Sequence, residues 1–343
     1  MLRPHWILPL ALLLPPLLAF SLPSSHPDVS SVPQGPNLAA RSNGKLYFGT
    51  ATNNDELNDT AYFALLDSFA NFGQLTSAKA MKWNSTEPER GVFTFEQGDQ
   101  IVNLAKQSGK LMRGHNCVWY QRIPDWVTDT NWTAPELAEV VREHCFNIVH
   151  HWAGDIWDVI NEPFNDDGTW RETQFYQVLN TSYIPIALHA ARAADPHTKL
   201  YINEYNITGT GPKSTSMKSL VRALKKAGVP LDGVGVQAHE IVGRVPEDVQ
   251  RNLEELTALG LDVRFLTLPP TQEGLEQQRR DFAAIVGACA RVERCVGVTV
   301  WDFTDEYSWI PGTFPGEGDG CPWDDNLQPK PAYYGTLDGF RSH

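Results

Sequence analysis

The sequence predicts an α/β fold: a closed TIM (β/α)8 barrel in a single domain. Past residue 44, short apolar and β-branched runs alternate with amphipathic stretches of roughly a dozen residues. Eight such β–α units follow one another, and no hairpin signal separates their strands. An open doubly wound sheet would show the same alternation. Its Gly-rich phosphate fingerprint is absent, because Thr50–Asn54 follows Gly49 after the first strand.

The eight apolar runs place the strands along the chain. We expect them at Leu46–Thr52, Gln74–Lys82, Leu111–Trp119, Ile156–Glu162, Lys199–Asn206, Gly233–His239, Leu261–Leu266 and Cys295–Phe303. Helices are expected between them, for example at Ala134–His151, Lys213–Gly228, Pro246–Gly260 and Gln272–Val292, with a last one after Pro331. The seventh of these strands, Leu261–Leu266, is predicted to be shortened.

Composition excludes several classes of protein. The chain has 343 residues, 28 Lys+Arg against 41 Asp+Glu, and a net charge of −13. So acidic a surface repels phosphate backbones, which argues against nucleic-acid binding. A hydrophobic content of 42% with 20% charged residues is that of an ordinary globular protein and not of a disordered one. The 11 Trp residues also suit the flat faces of sugar rings.

The N-terminus reads as a secretory signal. Arg3 precedes an apolar stretch from Trp6 to Phe20 that ends in small residues. A membrane anchor is the alternative, but the stretch is shorter than the ~20 residues that a span needs, and prolines interrupt it. We therefore predict a signal peptide over residues 1–22, an N-terminal arm over 23–44, a barrel over 45–343, and a secreted, extracellular protein without a membrane partner.

The cysteines and the glycosylation sequons are consistent with a secreted protein. Cys289 and Cys295 are close enough in sequence to form a disulfide. Two of the remaining three, Cys117, Cys145 and Cys321, could form one further disulfide, and the third would be a free thiol. No Cys-x-x-Cys pair is present, so no metal site is expected. Sequons that become glycosylation candidates in an exported chain occur at Asn58, Asn84, Asn131, Asn180 and Asn206.

The fourth strand ends in the strongest motif, Trp157-Asp158-Val159-Ile160-Asn161-Glu162-Pro163. In a barrel of this kind the reacting groups lie at the C-terminal ends of the strands. Hydrolysis of a glycosidic bond needs a carboxylic acid that protonates the leaving oxygen. Glu162 is the candidate for that acid, and the amide of Asn161 can bind a sugar hydroxyl beside it. The alternative is that Glu162 only stabilises the start of a following helix.

Several blocks in order show that the chain resembles glycoside hydrolase family 10, the endo-β-1,4-xylanases with a TIM barrel. These blocks include Met81-Lys82-Trp83, Arg113-Gly114-His115, Pro124-Asp125-Trp126, Gly235 to His239 and Tyr307 to Gly312, and the resemblance runs from about Leu46 to Phe340. It implies that Glu162 is the acid/base. It also implies a xylan cleft whose glycone side is lined by Lys82, Trp126, Asn161, Gln237, His239, Trp301 and Trp309. Trp126 and Trp301 as core indoles, and His239 as a barrel histidine, are the structural alternatives.

The family's second carboxylate, the nucleophile, is not found. In the family it is a Glu near the C-terminal end of strand seven, in a Thr-Glu-Leu-Asp context, whereas this chain reads Asp262-Val263-Arg264-Phe265-Leu266-Thr267. Asp262 is expected at the wrong end of the strand, and Glu273 falls in the next helix. A jump between two Leu-Asp-Val repeats would remove such a segment. The identity of the nucleophile is therefore unknown from the sequence.

Other departures fall on the same side of the cleft. Ala78 and Lys79 stand where the family has Glu-Asn, Tyr120 replaces a His, and Asp302 replaces a Gly. Three explanations follow: a coding segment left out of this sequence, for example at a misplaced exon boundary; a catalytically impaired relative that binds xylan without cleaving it; or recruitment of another carboxylate such as Asp302 or Glu204. The third is disfavoured, because those side chains would approach the sugar from the wrong strands.

The prediction for function is a secreted, retaining endo-β-1,4-xylanase that hydrolyses internal bonds of xylan. A non-enzymatic xylan-binding barrel is the alternative. The expected partner is xylan or a related β-1,4-linked cell-wall polysaccharide. The protein is expected to be a monomer and to need no cofactor, since the chemistry requires only carboxyl groups.

Overall fold

The structure, a computed structural model, describes residues 35–260, 262–267 and 274–341, and its centre is a closed barrel of eight parallel strands. The strands are β1 (Tyr47–Thr52), β2 (Gln74–Ser77), β3 (Leu111–Val118), β4 (Ile156–Asn161), β5 (Lys199–Tyr205), β6 (Gly233–Ala238), β7 (Asp262–Thr267) and β8 (Cys295–Val300). Each strand pairs with the next, and β8 closes the barrel against β1 with Phe48 opposite Val298. The predicted TIM barrel is thereby confirmed.

Thirteen α-helices are present in the described part of the chain. They are α1 (Pro36–Ser42), α2 (Thr60–Asp67), α3 (Trp83–Thr86), α4 (Glu96–Gln107), α5 (Asp125–Thr128), α6 (Ala134–His151), α7 (Gln174–Leu179), α8 (Tyr183–Ala194), α9 (Pro212–Lys226), α10 (Val249–Thr257), α11 (Leu275–Arg291), α12 (Ile310–Thr313) and α13 (Pro331–Arg341). The helices between strands bury their apolar faces against the barrel. That packing forms the main hydrophobic core.

The second strand ends earlier than predicted. It was expected to continue to Lys82, but β2 stops at Ser77, and residues 78–82 form a loop that leads into α3. Ala80 and Met81 of this loop are buried, so their apolar side chains resemble a strand in the sequence pattern although they pack as a loop. The consequence is that Lys79 and Lys82 lie above the strand end and not within the sheet.

The N-terminal boundary also differs from the prediction. The expected signal peptide and most of the arm lie outside the described residues. Within the described part, residues 36–42 form α1 instead of an arm, because Ala39 and Ala40 are buried and the Asn37 side chain accepts a hydrogen bond from the Phe48 N–H at 3.1 Å. The helix therefore belongs to the barrel, which begins earlier than residue 45.

Two disulfides fasten helices to strands. Cys117 of β3 is bonded to Cys145 of α6, and Cys289 of α11 is bonded to Cys295 of β8. Cys321 is a free, buried thiol. No helix within the described ranges is long and apolar enough to cross a bilayer.

Candidate active site

A cleft with a volume of about 1190 Å³ lies at the C-terminal ends of the strands. The residues that line it come from the ends of strands and from the segments that follow all eight strands, as expected for a barrel of this type. A cleft of this size is large enough for several sugar rings, since typical small-ligand pockets have volumes of about 300–1,000 Å³. Of the seven predicted glycone-side residues, those that line it are Lys82, Asn161, Gln237, His239, Trp301 and Trp309.

Trp126 does not line the cleft, contrary to the expectation. Its indole N–H donates a hydrogen bond to the Glu87 carbonyl at 3.0 Å, and its ring packs against Trp83 and Trp132. These contacts hold the Trp126 side chain among loop residues outside the cleft. The core-indole alternative is the one that the structure supports for this residue.

Glu162 lies at the centre of the cleft, directly after β4. Its side chain is only 8% exposed, and its backbone adopts a left-handed conformation with φ 55°. The Trp119 indole N–H donates to Oε2 at 2.9 Å, and the amides of Asn161 and Gln237 each donate to Oε1 at 3.2 Å. N–H groups from three strand ends thus fix the orientation of one carboxyl group.

A chain of amides holds the floor of the cleft beside Glu162. Asn203 donates to Asn161 Oδ1 at 2.8 Å, and Gln237 donates to the same oxygen at 3.1 Å. The ring Nε2 of His239 lies 2.9 Å from Gln237 Oε1. Burial lowers the pKa of His239 to about 4, so this histidine is neutral near pH 7. These groups offer hydrogen bonds to sugar hydroxyls without adding charge.

The opposite wall carries a cation between two indoles. Lys82 Nζ lies 4.7 Å from the centre of the Trp119 ring and 5.9 Å from that of Trp301. Burial lowers the pKa of Lys82 to about 8, and Arg122 lowers it further, while the carboxylates of Glu162 and Asp302 raise it. Lys82 therefore remains mostly protonated at neutral pH and can donate to a sugar hydroxyl.

Below this wall, an ion pair fills the barrel interior. Arg113 makes two hydrogen bonds of 2.7 Å to the carboxylate of Asp158, which also lies 2.9 Å from His115 Nδ1. Burial alone would raise the pKa of Asp158, but Arg113 and His115 hold it well below its usual value. His115 packs edge-on against Trp301 with ring centres 4.8 Å apart, so the ion pair supports the floor of the cleft.

The loop behind Glu162 is held at its backbone. Arg171 donates to the carbonyls of Glu162 at 3.1 Å and Phe164 at 2.9 Å. Glu204, fully buried, accepts from the Phe164 N–H at 3.0 Å and pairs with Lys213 at 3.0 Å. Burial raises the pKa of Glu204 to about 7. Glu204 does not line the cleft, which argues against its recruitment as a nucleophile.

No second carboxylate stands at the C-terminal end of β7. The residues that follow Asp262 in this strand are Val, Arg, Phe, Leu and Thr, and residues 268–273, including Glu273, lie outside the described part. Asp262 accepts a hydrogen bond from Arg294 at 3.1 Å at the opposite end of the barrel. Just after neighbouring β6, the Nδ1 of His239 has no hydrogen-bond partner among the described residues.

Asp302 lies in the cleft after β8 and is only 3% exposed. Burial and the nearby Glu56 carboxylate raise its pKa well above the usual value, although Lys79 and Lys82 oppose this rise. Its Oδ1 has no hydrogen-bond partner among the described residues. A raised pKa favours the protonated carboxyl, and a protonated carboxyl is a poor nucleophile.

Sequon asparagines are exposed at all five predicted positions, and Asn206 also lines the cleft. A glycan on Asn206 would therefore stand beside the cleft, whereas the other four asparagines do not line it. The described residues contain no group of three or more His, Cys, Asp or Glu side chains arranged to hold a metal ion.

Comparisons with known proteins agree with this geometry. The model for Glycosyl hydrolase family 10 matches residues 37–339. Endo-1,4-beta-xylanase A of Phanerodontia chrysosporium is 55% identical over 312 residues, covering 89% of this chain and 76% of that protein. The Endo-1,4-beta-xylanase of Agaricus bisporus is 53% identical over 311 residues, covering 88% of this chain and 93% of that protein.

Solved structures give the same result at lower identity. A GH10 xylanase from Bispora sp. MEY-1, solved with xylobiose, has a TM-score of 0.85 and 38% identity and covers 89% of this chain and 99% of that one. A glycosylated endo-beta-1,4-xylanase from Gloeophyllum trabeum has a TM-score of 0.82 and 37% identity and covers 90% of this chain and 99% of that one.

Proposed function

Because this chain belongs to glycosyl hydrolase family 10, we propose that it is a secreted endo-β-1,4-xylanase that hydrolyses internal bonds of xylan with retention of configuration. The observation that carries the proposal is the position of Glu162. Its carboxyl group lies in a cleft large enough for several sugar rings, between amides on one side and indoles on the other. Its neighbours are therefore of the kinds that bind sugar hydroxyls and sugar faces.

Glu162 acts as the acid/base of the reaction. In the first step its carboxyl proton passes to the glycosidic oxygen, so the leaving sugar departs as an alcohol and not as an alkoxide. In the second step the resulting carboxylate takes a proton from the water that attacks the anomeric carbon. Trp119, Asn161 and Gln237 keep both oxygens oriented through the two steps.

A retaining mechanism also requires a nucleophile about 5–5.5 Å from the acid/base. We infer that it belongs to a segment following Val263, which the present sequence does not contain. Two features support this inference. The Leu-Asp sequence before Val263 matches the end of a Thr-Glu-Leu-Asp-Val segment, and the Nδ1 of His239, just after neighbouring β6, has no hydrogen-bond partner in the described part of the chain. A carboxylate at the end of β7 would face that nitrogen.

The present sequence itself then favours a second candidate, a xylan-binding barrel with strongly reduced hydrolysis. The observation behind it is the absence of an acidic residue in β7 after Asp262. Loss of a nucleophile costs several orders of magnitude in rate, while the groups that bind the sugar remain. The two candidates differ only in the β7 segment.

Three features support the proposal that the protein is secreted. The N-terminal sequence predicts a signal peptide, and disulfides join Cys117 to Cys145 and Cys289 to Cys295. Disulfides persist in oxidising compartments outside the cytosol. The five exposed sequons are consistent with the same route.

Two measurements on the purified protein test the function. Affinity electrophoresis in gels containing xylan, β-1,4-glucan or β-1,4-mannan measures polysaccharide binding, and reducing-sugar release from xylan measures hydrolysis. We expect retardation by xylan alone. Absence of retardation by xylan in a folded protein would contradict the proposed substrate.

A further inference from the structure

One wall of the cleft gathers three cations. Lys79 and Lys82 come from the loop after β2, and Arg122 from the loop after β3. Among the described residues, none of the three side chains has an ion pair or a hydrogen bond to a carboxylate. Lys79 and Arg122 are exposed to solvent, while Lys82 is buried to 9% exposure. The chain as a whole has a net charge of −13, so this group of unpaired cations in the cleft contrasts with the acidic protein around it.

The two loops that carry these cations are joined to each other. The Asn84 N–H donates to the Arg122 carbonyl at 2.9 Å, and the Lys82 N–H donates to the Lys79 carbonyl at 3.1 Å. Arg122 has a left-handed backbone with φ 54°. These bonds fix the backbone positions from which the three side chains reach the cleft. The small buried side chain of Ala78 leaves the wall beside Lys79 open.

Carboxyl groups in the cleft do not cancel this charge. Burial and the neighbouring Glu56 raise the pKa of Asp302, which favours its protonated form, although Lys79 and Lys82 oppose this rise. Glu162 is held by N–H donors from Trp119, Asn161 and Gln237 and forms no ion pair. Glu240 and Glu317 also line the cleft, but neither forms an ion pair with these cations. Glu162 and Asp302 attract Lys82 from a distance, but Lys79 and Arg122 have no ion-pair partner in the described part of the chain, so an anion that enters from solvent can pair with them.

We propose that this wall recognises a carboxylate on the polysaccharide, so that Lys79 and Arg122 make the cleft selective for uronic-acid-substituted xylan over unsubstituted xylan. The inference rests on the proposed function, because it assumes that a xylan chain occupies the cleft. A uronic acid substituent is the anionic group that such a chain can carry. At physiological ionic strength, charges more than about 8 Å away are largely screened. The cations of the cleft, and not the acidic surface elsewhere, therefore determine how strongly a carboxylate on the ligand is attracted.

Binding of two matched ligands tests the proposal. Titration calorimetry compares xylotetraose with xylotetraose that carries one glucuronic acid, and Glu162→Gln is present in every protein so that neither ligand is cleaved. We expect the acidic ligand to bind about tenfold more tightly at low salt, in line with two exposed ion pairs. That advantage should disappear at about 1 M NaCl, where the screening length is about 3 Å.

Two double variants distinguish the effect of the cleft cations from the effect of the overall charge of the protein. In the double variant Lys79→Ala/Arg122→Ala, the acidic ligand should lose its advantage of about tenfold, while the affinity for plain xylotetraose stays unchanged. The matched control Lys106→Ala/Arg222→Ala removes two exposed cations outside the cleft and should change neither affinity.

The possible outcomes are distinct. Equal affinities for the two ligands, or an advantage that survives in the double variant, would overturn the inference and leave the proposed function standing. Binding of neither ligand by a folded protein would overturn both.

Discussion

The indole N–H of Trp119 donates a hydrogen bond to Oε2 of Glu162 at 2.9 Å. Trp119 follows the end of β3, and Glu162 follows the end of β4, so the parallel pairing of these two strands brings them together. The same indole ring packs against the Lys82 ammonium. Trp119 thus connects Glu162, the proposed acid/base, to the cationic wall of the cleft.

Replacement of this donor should impair the acid/base. In a protein with the nucleophile segment restored after Val263, we expect Trp119→Phe to lower kcat on xylan about 10- to 100-fold, the cost of a lost hydrogen bond to a charged group. Trp126→Phe is the matched control, because that indole donates to the Glu87 carbonyl outside the cleft. Steady-state kinetics on xylan measure both, and equal losses in the two variants would contradict the role of Trp119.

Removal of the acid itself should depend on the leaving group. In the restored protein, we expect Glu162→Gln to lower the rate on xylan by a factor of about 10²–10⁴, the usual contribution of a general acid. The glycosylation step on aryl xylosides with good leaving groups should be spared, because those groups depart without a proton. Pre-steady-state bursts measure that step. Equal loss on both substrates would count against Glu162 as the acid.

Much of this site could be predicted from sequence, because the functional residues of a parallel barrel lie at the C-terminal ends of its strands. The pattern placed Glu162 at the end of the fourth strand and Gln237 in the sixth, and the structure has both in the cleft, with Glu162 directly after β4. The hydrogen bond from Trp119 could not be predicted, since it depends on the pairing of β3 with β4 and on the rotamer of an indole. Trp119 was visible only as an aromatic residue at a strand end.

The expectations that differ from the structure share a physical cause. Apolar residues in loops and in strands have the same local pattern, so Ala80 and Met81 were predicted to extend β2 although they pack within a loop. Trp126 was assigned to the cleft by resemblance, but its ring packs against Trp83 and Trp132. Neither the path of a loop nor the direction of a short helix is encoded in periodicity.

The buried histidine under the cleft should make stability depend on pH. Burial lowers the pKa of His115 to about 4, although Asp158 raises it and Lys82 and Arg113 lower it further. The unfolded chain takes up this proton near pH 6.5, so between these two values the unfolded state binds more protons. The free energy of unfolding should therefore fall as pH falls from about 6.5 to about 4.

Urea unfolding at pH 6.5 and pH 4.5 measures this dependence. The histidine should account for a difference on the order of 2 kcal/mol between the two pH values. His115→Gln should be less stable at both, because Asp158 loses a partner, but its difference between the two should be smaller by that amount. An unchanged difference in the variant would assign the pH dependence to other groups.

The disulfide between β3 and α6 should contribute to stability. Cys117 and Cys145 are separated by 28 residues, and closing a loop of this size stabilises a fold by about 3 kcal/mol. Cys117→Ala/Cys145→Ala should lower the free energy of unfolding by about that much without changing xylan binding, because neither residue lines the cleft. Denaturant titration checks this loss, and Cys321→Ala, at the free thiol, is the control for removal of a buried sulfur. A loss no greater than that of the control would contradict a stabilising role.

The most direct test of the account is reducing-sugar release from xylan by three purified proteins. These are the present chain, a form with a Thr-Glu-Leu-Asp-Val segment inserted between Val263 and Arg264, and the same form with the inserted Glu replaced by Gln. The account predicts hydrolysis by the second protein and rates lower by several orders of magnitude for the first and third, although all three bind xylan. Comparable hydrolysis by the present chain would contradict the assignment of the nucleophile to a segment that follows Val263.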